Sequence, residues 1–155
     1  RYLASNPDVS FEEACNYFDE LEQNSKILFS LCNYANLAKA GRIPKAAGVI
    51  ANKLNIRVLG TASEAGEIKL VGHTRGEKKM LGKIVDTMET DGFAGGEVVI
   101  DHVENEAGAQ ALASRIVEHW PGSKTIIMPC NGLDSYYAET NGLIIGYGMG
   151  VASGR

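Results

Sequence analysis

Apolar residues recur every three to four positions in some stretches of the chain and form short dense or alternating runs in others, and these two patterns mark out its elements. Ser10-Phe11-Glu12-Glu13 has the form of a capping box, and Phe11, Ala14, Tyr17, Phe18 and Leu21 fall on one side of the helix it opens, which runs to about Glu22. Lys26 to Asn33 is a short apolar run of strand character, followed by a helical piece through Leu37 and Ala38 that Gly41 stops. After Pro44 the spacing predicts a helix with Ala47, Ile50, Ala51 and Leu54 on one face. Ile56 to Ala62 and Glu67 to His73 read as strands, and Ser63-Glu64-Ala65-Gly66 supplies the turn of an antiparallel hairpin. Thr74-Arg75-Gly76-Glu77 repeats the capping-box pattern before a helix whose buried face is Met80, Leu81, Ile84, Val85 and Met88. Gly92 and Gly95-Gly96 end it. A strand at Glu97 to His102 follows, then a helix from Asn105 with Leu112, Ala113, Ile116, Val117 and Trp120 inside, stopped by Pro121-Gly122. Lys124 to Met128 and Leu143 to Tyr147 are the last strands, joined by a long polar loop from Pro129 to Gly142.

A hairpin combined with β-α-β pieces predicts an α+β domain, a mixed, largely antiparallel sheet covered by helices. At 155 residues with 45% hydrophobic composition, the chain suits one domain with a substantial core. No apolar run approaches the roughly 20 residues of a bilayer span, and Arg1 to Pro7 lack a signal-peptide core, so the expected compartment is the cytoplasm. A net charge of −4 gives no general case for nucleic acid, and Arg75-Gly76-Glu77-Lys78-Lys79 reads as a solvated helix face. Cys15, Cys32 and Cys130 form no CxxC pair, and His73, His102 and His119 are equally scattered, so neither a disulfide framework nor a metal site is indicated.

The segment Gly41-Arg42-Ile43-Pro44 carries the most chemistry. Gly41 can take φ > 0, Pro44 suits a first helical turn, and Arg42 is thereby fixed near free backbone donors beside an apolar surface. The pattern fits an anion site and equally an ordinary turn with a solvated arginine. No catalytic set accompanies it. GxSxG, GxxxxGK[ST] and HExxH are absent, and Asp101-His102 and Asp134-Ser135, adjacent in sequence, do not make a triad. The chain is therefore not read as an enzyme.

Gly41 to Ile50 followed by Leu54-Asn55-Ile56, the run Gly72-His73-Thr74-Arg75-Gly76-Glu77-Lys78-Lys79, His102 before Asn105-Glu106, and Ser135 through Tyr147 together resemble the DegV family, which includes the fatty-acid-binding subunits of bacterial fatty acid kinase systems. The resemblance is to its C-terminal lobe. It implies residues 26–155 as a lipid-binding lobe and residues 1–25 as a helical tail or connection from an N-terminal lobe. It also implies a carrier that holds a long-chain fatty acid as ligand, with no cofactor, and presents the carboxylate to a separate fatty acid kinase for acyl phosphate formation. A transient membrane contact for acyl exchange is compatible with that role. Arg42 is the first candidate for the carboxylate, Tyr137 and Ser135 the next, and Ala47, Ile50 and Leu54 would line an apolar tunnel. Many relatives have His where Tyr137 stands and Gly-Pro-Gly at Glu139-Thr140-Asn141, so the head-group chemistry differs here. His73, His102 and Arg75 are expected to be structural or partner-facing. The alternative is an enzyme domain acting on a small anionic or phosphorylated metabolite, with Arg42 and Arg75 as clamps.

Overall fold

The computed structural model describes residues 2–43 and 56–149. The helix expected after Pro44, with Ala47, Ile50 and Leu54, lies outside them. Helices α1 (Tyr2–Ser5) and α2 (Phe11–Gln23) come first. The capping box of α2 forms as the sequence predicts: the Ser10 Oγ accepts from the Glu13 N–H at 3.2 Å, and the Glu13 carboxylate accepts from the Ser10 N–H at 2.9 Å. The Ser10 hydroxyl, donating to the Glu13 carboxylate at 2.7 Å, and then the Ser10 N–H hold the Glu13 carboxyl below its ordinary pKa. Tyr2 and Tyr17 stack with ring centroids 3.6 Å apart, which ties α1 to α2. No residue of α2 is buried, and Phe11 is 86% exposed.

The described residues then contribute six strands: β1 (Ser25–Leu31), β2 (Ile56–Ala62), β3 (Ile68–Arg75), β4 (Glu97–His102), β5 (Lys124–Pro129) and β6 (Leu143–Gly148). Their order in the sheet is β3-β2-β1-β6-β4-β5, with every neighbouring pair antiparallel except β4 and β5. This is the mixed, largely antiparallel α+β architecture expected. Helices α4 (Glu77–Thr90) and α5 (Glu106–His119) cover one face. The residues expected inside α4, Met80, Leu81, Ile84, Val85 and Met88, are all buried, against Leu28, Leu59, Ile100 and Ile145 of the strands. Helix α3 (Ala35–Lys39) ends in a Schellman motif: Gly41 at φ +71° brings the Gly41 N–H to the Ala38 carbonyl at 3.2 Å and the Arg42 N–H to the Leu37 carbonyl at 2.9 Å.

Three expectations are corrected. The second capping box does not form, because Thr74 and Arg75 are spent on the β2–β3 ladder; Gly76 is the N-cap, without a side-chain cap bond, and Glu77 turns to other partners. Val117 is 41% exposed, since α5 buries Gly108, Ala109, Leu112, Ala113 and Ile116 and rotates Val117 off that stripe. The stretch read as a loop from Pro129 to Gly142 contains helix α6 (Gly132–Ala138), too short and polar to show a helical period.

Candidate functional site

The second face of the sheet is built differently. Register partners share a face, so Phe29, Ile144, Asp101 and Met128 form one row across β1, β6, β4 and β5, and Ile27, Gly146, Val99 and Ile126 form the next. Over the first row a small cluster closes, made of Leu31, Tyr34, Leu37 and Ala138, with Phe29, Ile43, Val58, Tyr137 and Ile144 packed on it. It seats α3 and α6. Asn36 links these two helices: its backbone N–H donates to the Glu139 carboxylate at 2.9 Å and its side chain to the Tyr136 carbonyl at 2.8 Å. The buried Tyr34 hydroxyl donates to the Leu31 carbonyl and accepts from the Val58 N–H at 2.7 Å, and its burial pushes its pKa far up.

Beyond that cluster the face is apolar and incompletely covered by the described residues. Ile27 is 42% and Met128 44% exposed, while Val99 and Ile126 are half-buried. At Gly146 and Gly148 no described atom lies within 4 Å of where a Cβ would stand. Phe29 leans the other way, toward β2, where Gly60 leaves it room: a Cβ on Gly60 would come within 2.3 Å of the ring. Among the described residues the floor over Ile27 and Gly146 is left clear of the ring. One polar corner interrupts it. The Asp101 Oδ1 is buried with no partner among the described residues, and burial, then Asp134, raises its carboxyl pKa. The neighbouring Cys130 thiol is pushed to about 11 by burial and the same two carboxylates. That corner disfavours an anion.

At the ends of β2 and β4, on the α4 and α5 side, a buried polar hub ties the frame together. The Arg57 guanidinium contacts the Glu77 carboxylate at 2.8 Å and donates to the Asn141 carbonyl at 2.9 Å. Asn105 donates to the same two acceptors at 2.8 and 3.2 Å, and its Oδ1 caps α5 by accepting from the Gly108 N–H at 3.2 Å. Asn141, at φ +68°, and Glu139, at φ +53°, make the turn that offers this carbonyl. Glu139, Thr140 and Asn141 therefore serve the frame: Thr140 donates to the Glu104 carboxylate at 3.1 Å, and Cys32 Sγ lies 3.3 Å from the Thr140 carbonyl.

Among the candidates read from sequence, Arg42 is exposed just past α3, and its neighbour Ile43 packs on the same small cluster as Tyr137. The two candidates thus flank one apolar patch. The Tyr137 ring meets Tyr136 edge-on at 5.2 Å, and its hydroxyl makes no hydrogen bond among the described residues. Ser135 sits two positions before Tyr137 on α6 and so points to a different side of that helix, its hydroxyl donating to the Gly132 carbonyl at 2.8 Å. The His102 Nδ1 accepts from the Asn105 N–H at 3.3 Å, at the start of α5. Arg75 is exposed on the edge strand β3. Arg57, Asn105 and the Phe29–Gly60 pair were not legible as important; only the Asn-x-x-Gly spacing of Asn105 and Gly108 hinted at a cap. Among the described residues no group of three or more His, Cys, Asp or Glu is placed to hold a metal, and no helix is long and apolar enough to cross a membrane.

A family model described as "Uncharacterised protein, DegV family" matches residues 3–141. A DegV domain-containing protein of Streptococcus pneumoniae is 40% identical over 139 residues, covering 90% of this chain and 50% of that protein. The crystal structure of the Streptococcus pneumoniae fatty acid kinase B3 protein loaded with linoleic acid superposes with a TM-score of 0.90 at 38% identity, over 96% of this chain and 52% of that one. A DegV family protein from Eubacterium eligens loaded with heptadecanoic acid gives a TM-score of 0.90 at 34% identity, over 96% and 54%. The chain spans about half the length of the relatives it matches.

Proposed function

The chain belongs to the DegV family, and from that premise we propose that it is the lipid-binding half of a fatty-acid carrier, a binding protein rather than an enzyme. The observation that carries the reading is the apolar sheet face that the described residues cover incompletely, in a chain whose structural relatives are loaded with heptadecanoic and linoleic acid. Sheltering about 14 methylenes at roughly 0.8 kcal/mol each gives a gross gain of about 11 kcal/mol. Association costs of roughly 4–15 kcal/mol consume much of it, so tight reversible binding needs most of the chain covered.

Residues 26–155 correspond in this reading to the C-terminal lobe, and residues 1–25 to a connection from the other lobe. The absence of any buried residue on α2, with Phe11 and Phe18 exposed, supports the second assignment. The carboxylate lies at the end of the face flanked by Arg42 and Tyr137, where Arg42 supplies a positive charge beside the apolar cluster. Arg42 supplies a bidentate cation, Tyr137 an uncommitted hydroxyl, and Ser135 a further oxygen; Ala47, Ile50 and Leu54 line the apolar chain. The relative named as a fatty acid kinase B protein makes a separate kinase the natural acceptor of the presented carboxylate. The enzyme alternative has less behind it: a cleft of about 830 Å³ lined by Lys26, Thr61, Lys69 and Asp91 contains neither Arg42 nor Arg75.

Denaturing extraction of the naturally encoded protein, with mass spectrometry of what it releases, tests the carrier reading. Long-chain fatty acid is expected, together with a rise in melting temperature when fatty acid is added. Lipid-free extracts and an unmoved melting temperature would sink it. Arg42→Ala should impair acyl phosphate formation with the cognate kinase more than retention of the chain, and equal activity would remove Arg42 from the site.

A further inference from the structure

We propose that Phe29, laid over Gly60, sets the length of acyl chain the sheet face accepts; this rests on the carrier reading and names its specificity determinant. An aromatic residue on β1 can lean toward either neighbouring strand. On this face β6 offers Ile144 opposite Phe29 and bare Gly146 on the diagonal, whereas β2 offers Gly60. The ring takes the β2 side, filling the volume where any other residue at position 60 would place its Cβ, with approaches of 2.3, 2.5 and 3.2 Å to three ring carbons. A Cβ there would not fit beside the ring as it stands, and the colliding atoms are the far end of a side chain that can swing. It would swing off β2 toward β6, over the floor at Ile144 and Gly146.

That floor begins at Ile144, which packs on the cluster of Leu31, Tyr34, Leu37 and Ala138, and runs on along β1 and β6 to Gly146, one same-face pair further from Arg42 and Tyr137. A chain anchored at those two residues reaches Gly146 only with its distal methylenes. Blocking the floor should therefore penalise long chains and spare short ones. The glycine matters through the ring alone. A second substitution that removes the ring should cancel the effect of filling position 60.

The test is titration of the naturally encoded protein with dodecanoic and octadecanoic acids, comparing wild type, Gly60→Ala, Phe29→Ala and Phe29→Ala/Gly60→Ala. Gly60→Ala should lower the 18-carbon affinity about tenfold or more relative to the 12-carbon affinity, the loss of a few buried methylenes. The double variant should return the ratio to that of Phe29→Ala. An unchanged ratio in Gly60→Ala, or a double variant that behaves like Gly60→Ala, overturns the proposal while leaving the carrier reading intact. Wild type that binds neither acid brings both down. Should Gly60→Ala not fold, Phe29→Trp, which enlarges the ring instead, is expected to shift the ratio the same way, and no shift overturns the proposal.

Discussion

Glu77→Ala would leave the Arg57 guanidinium, 6% exposed, in place without its counter-charge. Breaking a buried ion pair from one side costs about 3–5 kcal/mol, because the remaining charge has lost both water and partner. Glu77 itself is 35% exposed, so water can reach the vacated space and screen part of the charge. The expectation is therefore lower, about 2–3 kcal/mol. The Asn105 amide also loses an acceptor, though the Asn141 carbonyl keeps it partly satisfied at 3.2 Å. Arg57→Met should cost less, about 1–2 kcal/mol, since it leaves behind a carboxylate that water and Asn105 already solvate. The double variant should be no worse than Glu77→Ala alone, giving a coupling energy of at least about 1 kcal/mol. Urea unfolding followed by circular dichroism measures all three. The difference should survive about 1 M salt, which screens exposed pairs far more than buried ones. Single costs that add within about 0.5 kcal/mol would refute the reasoning and leave Arg57 held by the Asn141 carbonyl alone.

Gly108→Ala sets helix propensity, which favours alanine by about 1 kcal/mol, against a Cβ that would stand 2.6 Å from both amide atoms of Asn105. Displacing the cap and its bonds to Glu77 and Asn141 should win, for a net loss of about 1 kcal/mol in denaturant unfolding; a net gain would mean that the amide moves aside freely. Asp101→Asn tests the polar corner through pH. Burial raises the Asp101 pKa in the folded state, so the folded protein binds the proton more tightly and ionisation of Asp101 is destabilising above the raised value. The variant should be more stable than wild type at neutral pH, and its advantage should vanish as pH falls through the raised value toward the ordinary carboxyl range. A stability difference that stays constant between about pH 4 and 8 would contradict that assignment.

The elements that announced themselves in the sequence were those whose signal is periodic or capped. The stripe from Met80 to Met88 is buried as read, and Ser10 caps α2 through both of its reciprocal bonds. Glu77 shows the limit of such reading. Thr74-x-x-Glu77 has the letters of a capping box, yet cross-strand pairing of Thr74 with Arg57 takes the threonine, and the buried cation takes the glutamate. Nothing local in the sequence says that residue 57 faces residue 77. Helix α6 was hidden for a different reason: seven residues make two turns, and what holds it is Asn36, about a hundred positions away. The candidate site was legible in part. Gly41 stops α3 and Arg42 emerges beside the cluster that carries Tyr137, whereas the Phe29–Gly60 contact depends on the β1–β2 register and has no signature along the chain.

In the proposed reading the two faces of the sheet divide the labour between stability and ligand. On one, α4 and α5 bury Leu28, Leu59, Ile100 and Ile145, and the Arg57 hub locks the helix starts to the strand ends. The apolar area removed from water there is the dominant favourable term in folding. On the other, Ile27, Met128 and the space over Gly146 and Gly148 remain incompletely covered by the described residues, so filling that space costs the folded frame little. Single exposed apolar side chains are ordinary on any surface, but a floor that continues across β1, β6, β4 and β5 is a contiguous patch. Substitutions at the hub should therefore move the unfolding midpoint with little change in acyl preference, and substitutions on the floor should do the reverse. A ligand bound on the floor would link the two, because occupancy adds its binding free energy to the stability of the frame.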